Sequence, residues 1–170
     1  MITTLMSCSC GAVQCQATGR PIVTAACYCD DCQRGSHEIE QLPTAGPVLE
    51  ADGGTAYVLY RKDRFRCTQG GGLLRNLRLK DSSPTKRIVA GCCNSAMYLD
   101  FQKGHWISVY RARLQGPVPD VQMHIQTQFK PHPDSATAPD RATAKIRSYR
   151  AHSPRLLAKL LLARLAMLVS

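Results

Sequence analysis

The sequence predicts a small, mainly β domain, followed by a linker and a short amphipathic helix. Three observations carry this. Glycine (12) and proline (10) are frequent, which favours turns and short strands. Short runs of β formers alternate with turn signals. No segment before residue 130 shows a helical apolar period over three turns. A length of 170 residues fits one domain with room for a tail.

The elements follow in order. Residues 12–18 and 21–26 read as two strands with Gly19-Arg20 turning between them. Asp52-Gly53-Gly54 is a turn before the β-rich run Thr55 to Tyr60. Gln69 to Gly72 is another turn, and Leu73 to Lys80 alternates around Leu77 and Leu79 as a half-buried strand does. Arg87 to Ala90 and Met97 to Phe101 flank a cysteine pair, and Trp106 to Tyr110 reads as a further strand. These segments define a domain over residues 1–130.

From Pro131 the composition turns to Pro, Ser, Ala, Thr and basic residues, so 131–153 reads as a linker. Residues 154–170 form the helix candidate. Leu157, Leu160, Leu161, Leu165 and Leu168 share a face, with Lys159 and Arg164 outside it. The segment is too short and too charged to span a bilayer. Its expected role is packing onto the domain or a second copy, with membrane-surface binding as the alternative. The oligomeric state is not readable from the sequence.

The net charge is +10, densest between Arg141 and Arg164. Such a balance suits a solvated basic tail or an acidic partner. With aromatics at 6% and no recognition helix, specific nucleic-acid reading is not expected.

Nine cysteines need an explanation. Met1 to Ser7 has neither a charged leader nor a long apolar run, so the expected location is the cytoplasm, where thiols stay reduced. Zinc then explains the cysteines better than disulfides. Cys8-Ser9-Cys10-Gly11, Cys27-Tyr28-Cys29-Asp30-Asp31-Cys32 and Cys92-Cys93 form three groups. The pairing expected is a structural site from Cys8 and Cys10 with Cys92 and Cys93. A second, open site comes from Cys27, Cys29 and Cys32, because three protein ligands leave a fourth position for water or substrate. One or two zinc ions are therefore expected. Cys15 and Cys67 stand apart and read as buried apolar residues.

The motifs Cys8-x-Cys10-Gly11-Ala12-Val13, Cys27-x-Cys29-x-x-Cys32-Gln33-Arg34 and Cys93-Asn94-Ser95-Ala96-Met97 resemble the glutathione-dependent formaldehyde-activating enzyme (GFA) family, which also contains the domain of centromere protein V. The resemblance covers about residues 5–115. It implies an Mss4-like (β-tent) fold of twisted antiparallel sheets holding zinc. In the family one site draws on Cys-x-Cys and a later Cys-x-x-Cys-Gly-Thr-Pro. A second zinc sits on Cys-x-Cys-x-x-Cys, where glutathione is thought to react. Alignment on the later motif puts Ala90 where a ligand cysteine belongs, and Cys92 is the nearby substitute.

The reading that follows is a zinc-dependent carbon–sulfur lyase of the S-(hydroxymethyl)glutathione synthase type, with Cys27, Cys29 and Cys32 as its catalytic residues. Its partner is a small thiol such as glutathione. Arg34, Arg61, Lys62, Arg64 and Arg66 are candidates for attracting substrate carboxylates. Asp30 and Asp31 read as acceptors behind the metal ligands or as turn residues, and His37 as a candidate base or ligand. The alternatives are a non-catalytic, zinc-stabilised module with a basic surface for an acidic partner, and a thiol cluster for redox or metal buffering.

Overall fold

The computed structural model describes residues 2–131 and 146–169. Among these described residues, eleven strands form two sheets. The smaller holds β1 (Thr3–Ser7), β2 (Gln14–Thr18) and β5 (Phe65–Gln69), in the order β1-β2-β5. The larger is built on β3 (Val23–Cys27), β4 (Thr55–Arg61), β6 (Leu74–Leu77), β7 (Thr85–Ala90), β8 (Ser95–Phe101), β9 (Trp106–Tyr110), β10 (Met123–Ile125) and β11 (Arg147–Tyr149). Its order is β11-β10-β3-β4-β9-β8-β7-β6. The described residues also hold two α-helices, α1 (Asp30–Glu40) and α2 (Pro154–Leu168).

The central strand β4 explains the layering. All seven of its residues are buried, and its side chains alternate between faces. Tyr57 and Leu59 enter one core with Val23, Ala25, Ile39 and Met123, while Val58 and Tyr60 enter a second with Met6, Val13, Met97 and Val109. The large sheet thus has apolar contents on both faces. Each core includes one group of cysteines: Cys27 and Cys32 in the first, Cys8 and Cys93 in the second.

The mainly β expectation holds, with two sheets, a short C-terminal helix and two cysteine groups able to hold a metal. Four details differ. First, β2 and β3 do not form a hairpin. Gly19 does turn the chain, with φ +84°, but β2 pairs with β1 and β5 while β3 pairs with β4 and β10. Second, the sheets are not wholly antiparallel, since β10 runs parallel to both β3 and β11. Long chain segments separate these strands, which frees their direction from the hairpin constraint. Third, α1 is a helix where none was expected. Its buried residues Cys32, Gly35, Ser36 and Ile39 keep the helical spacing but include one large aliphatic side chain. Fourth, α2 docks through Leu156 and Leu160, and of the expected face only Leu160 is buried. Of the span read as a linker, residues 132–145 lie outside the described residues, while Arg147–Tyr149 adds a strand to the large sheet.

Candidate metal centre

Cys8 and Cys10 follow β1, and Cys92 and Cys93 lie in the turn from β7 to β8. The ligand loop at Cys8 is closed by Gly11 N–H donating to the Cys8 carbonyl at 3.1 Å, with Gly11 at φ +78°. The Val13 N–H donates to Cys8 Sγ at 3.2 Å. Ser9 Oγ and Ser95 Oγ, 2.9 Å apart, tie this loop to the other. The sulfurs converge: Cys8–Cys10 3.5 Å, Cys8–Cys92 3.8 Å, Cys10–Cys92 3.4 Å and Cys92–Cys93 3.9 Å. A tetrahedron with zinc–sulfur arms of about 2.3 Å has edges of about 3.8 Å, so these spacings fit one zinc ion without rearrangement. Burial raises the Cys93 pKa, but hydrogen bonds from Ser9 and Ser95 outweigh it and bring the thiol down to about 5, the thiolate form a metal takes.

The second cluster is assembled locally. Cys27 ends β3, Cys29 caps the N-terminus of α1, and Cys32 lies in its first turn. Their sulfurs lie within 4.8 Å of one another, with Cys27 and Cys29 3.5 Å apart. No fourth His, Cys, Asp or Glu ligand atom joins them among the described residues. The three sulfurs share protons unequally. Hydrogen bonding from Cys27, then Cys32, holds the Cys29 thiol far below its ordinary range. Cys27 moves upward, chiefly because it donates to Cys29. The lowered Cys29 thiol lies at the positive, N-terminal end of α1. All nine cysteines of the chain are free thiols.

Residues 3–45 match the family described as glutathione-dependent formaldehyde-activating enzyme. Over those residues the chain is similar to that family. The matched span holds Cys8-x-Cys10 and Cys27-x-Cys29-x-x-Cys32, and it ends before Cys92 and Cys93. No curated protein matches the chain. Among solved structures, a crystal structure of a Rhodobacter sphaeroides protein is similar, at 13% identity and a TM-score of 0.49, covering 85% of this chain and 98% of that one.

Two positions where the chain departs from the GFA pattern are accommodated in the structure. Ala90 is fully buried in the core, and Cys92 places its sulfur among the other three. Asn94 follows Cys93 where the family pattern has glycine, and it adopts φ +53°, a left-handed conformation that asparagine tolerates. Its side chain is held by the Pro43 carbonyl, to which it donates at 2.8 Å.

Around the three-sulfur cluster the structure assembles groups that sequence reasoning missed. Arg87 of β7, expected only as a strand residue, is 2% exposed. It lies across α1 and donates to the Asp31 carbonyl; its buried Nε has no hydrogen-bond partner. No carboxylate pairs with it among the described residues. A Cβ on Gly35 would strike the Arg87 side chain, so glycine is what admits the guanidinium. Its positive charge also helps to lower the Cys29 pKa, which makes the thiolate cluster the natural counterion of a buried cation. On the other side, Tyr28 donates to Asp52 Oδ2 at 2.6 Å, and Lys130 reaches the same oxygen at 2.8 Å while lying 4.9 Å from the Tyr28 ring centroid. Gln33 Nε2 donates to the carbonyls of Tyr28 and Phe129. These contacts fix the loop that carries the sulfurs.

Other candidates fall elsewhere. Asp30 and Asp31 occupy the first turn of α1, where carboxylates favour the helix dipole. His37 is 72% exposed and sits 3.5 Å from Glu40, outside the cluster. Arg34 pairs with Asp31 and Glu38, Arg61 with Asp63, and Lys62 with Asp100. Cys15 and Cys67 face each other in register across β2 and β5; Cys15 is buried and Cys67 partly so.

Proposed function

We propose that this chain is a zinc-dependent carbon–sulfur lyase of the GFA type, acting on a glutathione–aldehyde adduct at Cys27, Cys29 and Cys32. The observation that carries the reading is a set of three convergent sulfurs with no fourth His, Cys, Asp or Glu ligand atom among the described residues. Cys8, Cys10, Cys92 and Cys93 are proposed to hold a second, structural zinc. Bound at the three-sulfur cluster, zinc would supply a Lewis-acid position that favours a substrate thiol as its thiolate. The chain's own groups do the rest. Cys29, already held as a thiolate, is a ready ligand. Arg87 balances the negative charge that accumulates when a further thiolate approaches. Tyr28, Asp52 and Lys130 hold the loop in place, so that the open position keeps its direction.

A second reading, a zinc-stabilised binding module without turnover, is favoured by one observation: Cys27 and Cys32 are each only 8% exposed. One experiment separates the two. Purified protein is given glutathione and formaldehyde, and formation of S-(hydroxymethyl)glutathione is followed by exchange NMR. The lyase reading expects acceleration over the uncatalysed condensation, abolished in Cys29→Ser while the other cluster keeps its metal. Equal rates with and without protein that carries its full metal complement would leave the binding module.

A further inference from the structure

We infer that α2 is a docking surface for an anionic phospholipid bilayer, presented by the domain as an in-plane helix. Helix α2 leaves most of its leucines uncovered. Leu156 and Leu160 pack into the core, and the helix is fixed by a Ser153 cap, by His105 Nε2 2.8 Å from the Leu160 carbonyl, and by Lys159 reaching the Ile22 carbonyl at 3.4 Å. The outward side keeps Leu157, Leu161, Leu162, Leu165 and Leu168 between 50% and 72% exposed. At roughly 100° per residue these leucines span an arc of roughly 140°, wider than a coiled-coil seam. Nothing in that arc donates or accepts a side-chain hydrogen bond, which suits hydrocarbon rather than a structured polar partner.

The edges of the arc decide the occupant. On the same helical wheel Arg164 borders one side, and Arg155 the other, both exposed. The helix contains no acidic residue. Arg147 and Arg150, just before it, are exposed as well. A second copy laid on this face would bring arginine against arginine along both seams, with no carboxylate to relieve them. An anionic lipid surface does the opposite: the leucines enter the acyl boundary while the flanking guanidinium groups reach the headgroups. No helix among the described residues is long and apolar enough to cross a membrane, in keeping with a helix that lies on the surface.

The test is co-sedimentation of the full chain with vesicles of phosphatidylcholine alone and of phosphatidylcholine mixed equally with phosphatidylserine. The expected result is sedimentation with the mixed vesicles, weakened by salt, and little with the neutral ones. Leu161→Gln combined with Leu165→Gln should lower partitioning at least about tenfold. Arg155→Gln combined with Arg164→Gln should lower it about thirtyfold on mixed vesicles alone. All four side chains are exposed, so circular dichroism and metal content should stay as in the parent protein. Equal sedimentation with both vesicle types, or none with the mixed ones, overturns the inference. So does a dimer in light scattering that the leucine variant dissociates, or binding to polyglutamate with no binding to vesicles.

Discussion

The two cysteine clusters differ in opposite senses by coordination and by exposure. The four-sulfur cluster gathers as many sulfurs as a tetrahedral metal would take, yet Cys10 and Cys92 stand at the surface. The three-sulfur cluster has no fourth His, Cys, Asp or Glu ligand atom among the described residues, yet Cys27 and Cys32 are buried and a buried arginine backs them. The number of sulfurs in a cluster and its access to solvent are thus separate properties. The first cluster joins chain segments more than 80 residues apart, which is what a structural tie does. The second lies within six residues and is tuned by charge.

The largest effect should come from the tie. Cys93→Ser should lose one zinc ion and lower stability by several kcal/mol, the scale of structural zinc sites, as measured by thermal unfolding with and without chelator. Cys29→Ser should lose the other ion with a clearly smaller drop in melting temperature. Equal drops for both would dissolve the distinction between tie and tuned site. Next in size is Gly35→Ala, which forces the Arg87 side chain aside and should destabilise the fold by about 1–3 kcal/mol in urea titrations. Arg87→Met keeps most of the volume and removes the charge. It should speed chelator-driven release from the three-sulfur cluster by about tenfold and leave the four-sulfur cluster unchanged. Release from both clusters at altered rates would assign Arg87 a general packing role instead.

The smallest effect belongs to the loop anchor. Tyr28→Phe should cost about 1 kcal/mol, read as a shift in the urea midpoint. Burial raises the Asp52 pKa, but hydrogen bonds from Lys130, Tyr28 and Gly54 outweigh it, and the net shift is downward. A depressed carboxylate contributes stability that is present above its unfolded pKa and lost as pH falls through the folded value. The Tyr28→Phe difference should therefore shrink below about pH 4. A difference that grows in acid would show that the hydroxyl bonds something other than the carboxylate.

Much of this comparison was legible in the sequence, for particular reasons. Cys-x-Cys and Cys-x-x-Cys spacings constrain loops locally, so the membership of each cluster could be proposed without a fold. Thr55 to Tyr60 and Trp106 to Tyr110 announced themselves by composition. Helix α1 did not, because its buried stripe uses Gly35 and Ser36 where a large side chain would have shown the period. Gly35 makes room for Arg87, a contact 52 positions away that no local pattern reveals. Strands β10 and β11 are three residues each and pair in parallel, giving neither a hairpin signal nor a long alternation. In α2 the leucines exceed one face, so the period shows a helix but not which side docks. The Ser153 cap and the His105 contact settle that in three dimensions.

The most direct test of the account is a crystal structure with anomalous data collected at the zinc edge. The account predicts two peaks: one about 2.3 Å from the sulfurs of Cys8, Cys10, Cys92 and Cys93, the other at that distance from Cys27, Cys29 and Cys32 with a non-protein atom in fourth place. A fourth protein ligand on the second ion, or no peak there, would contradict it.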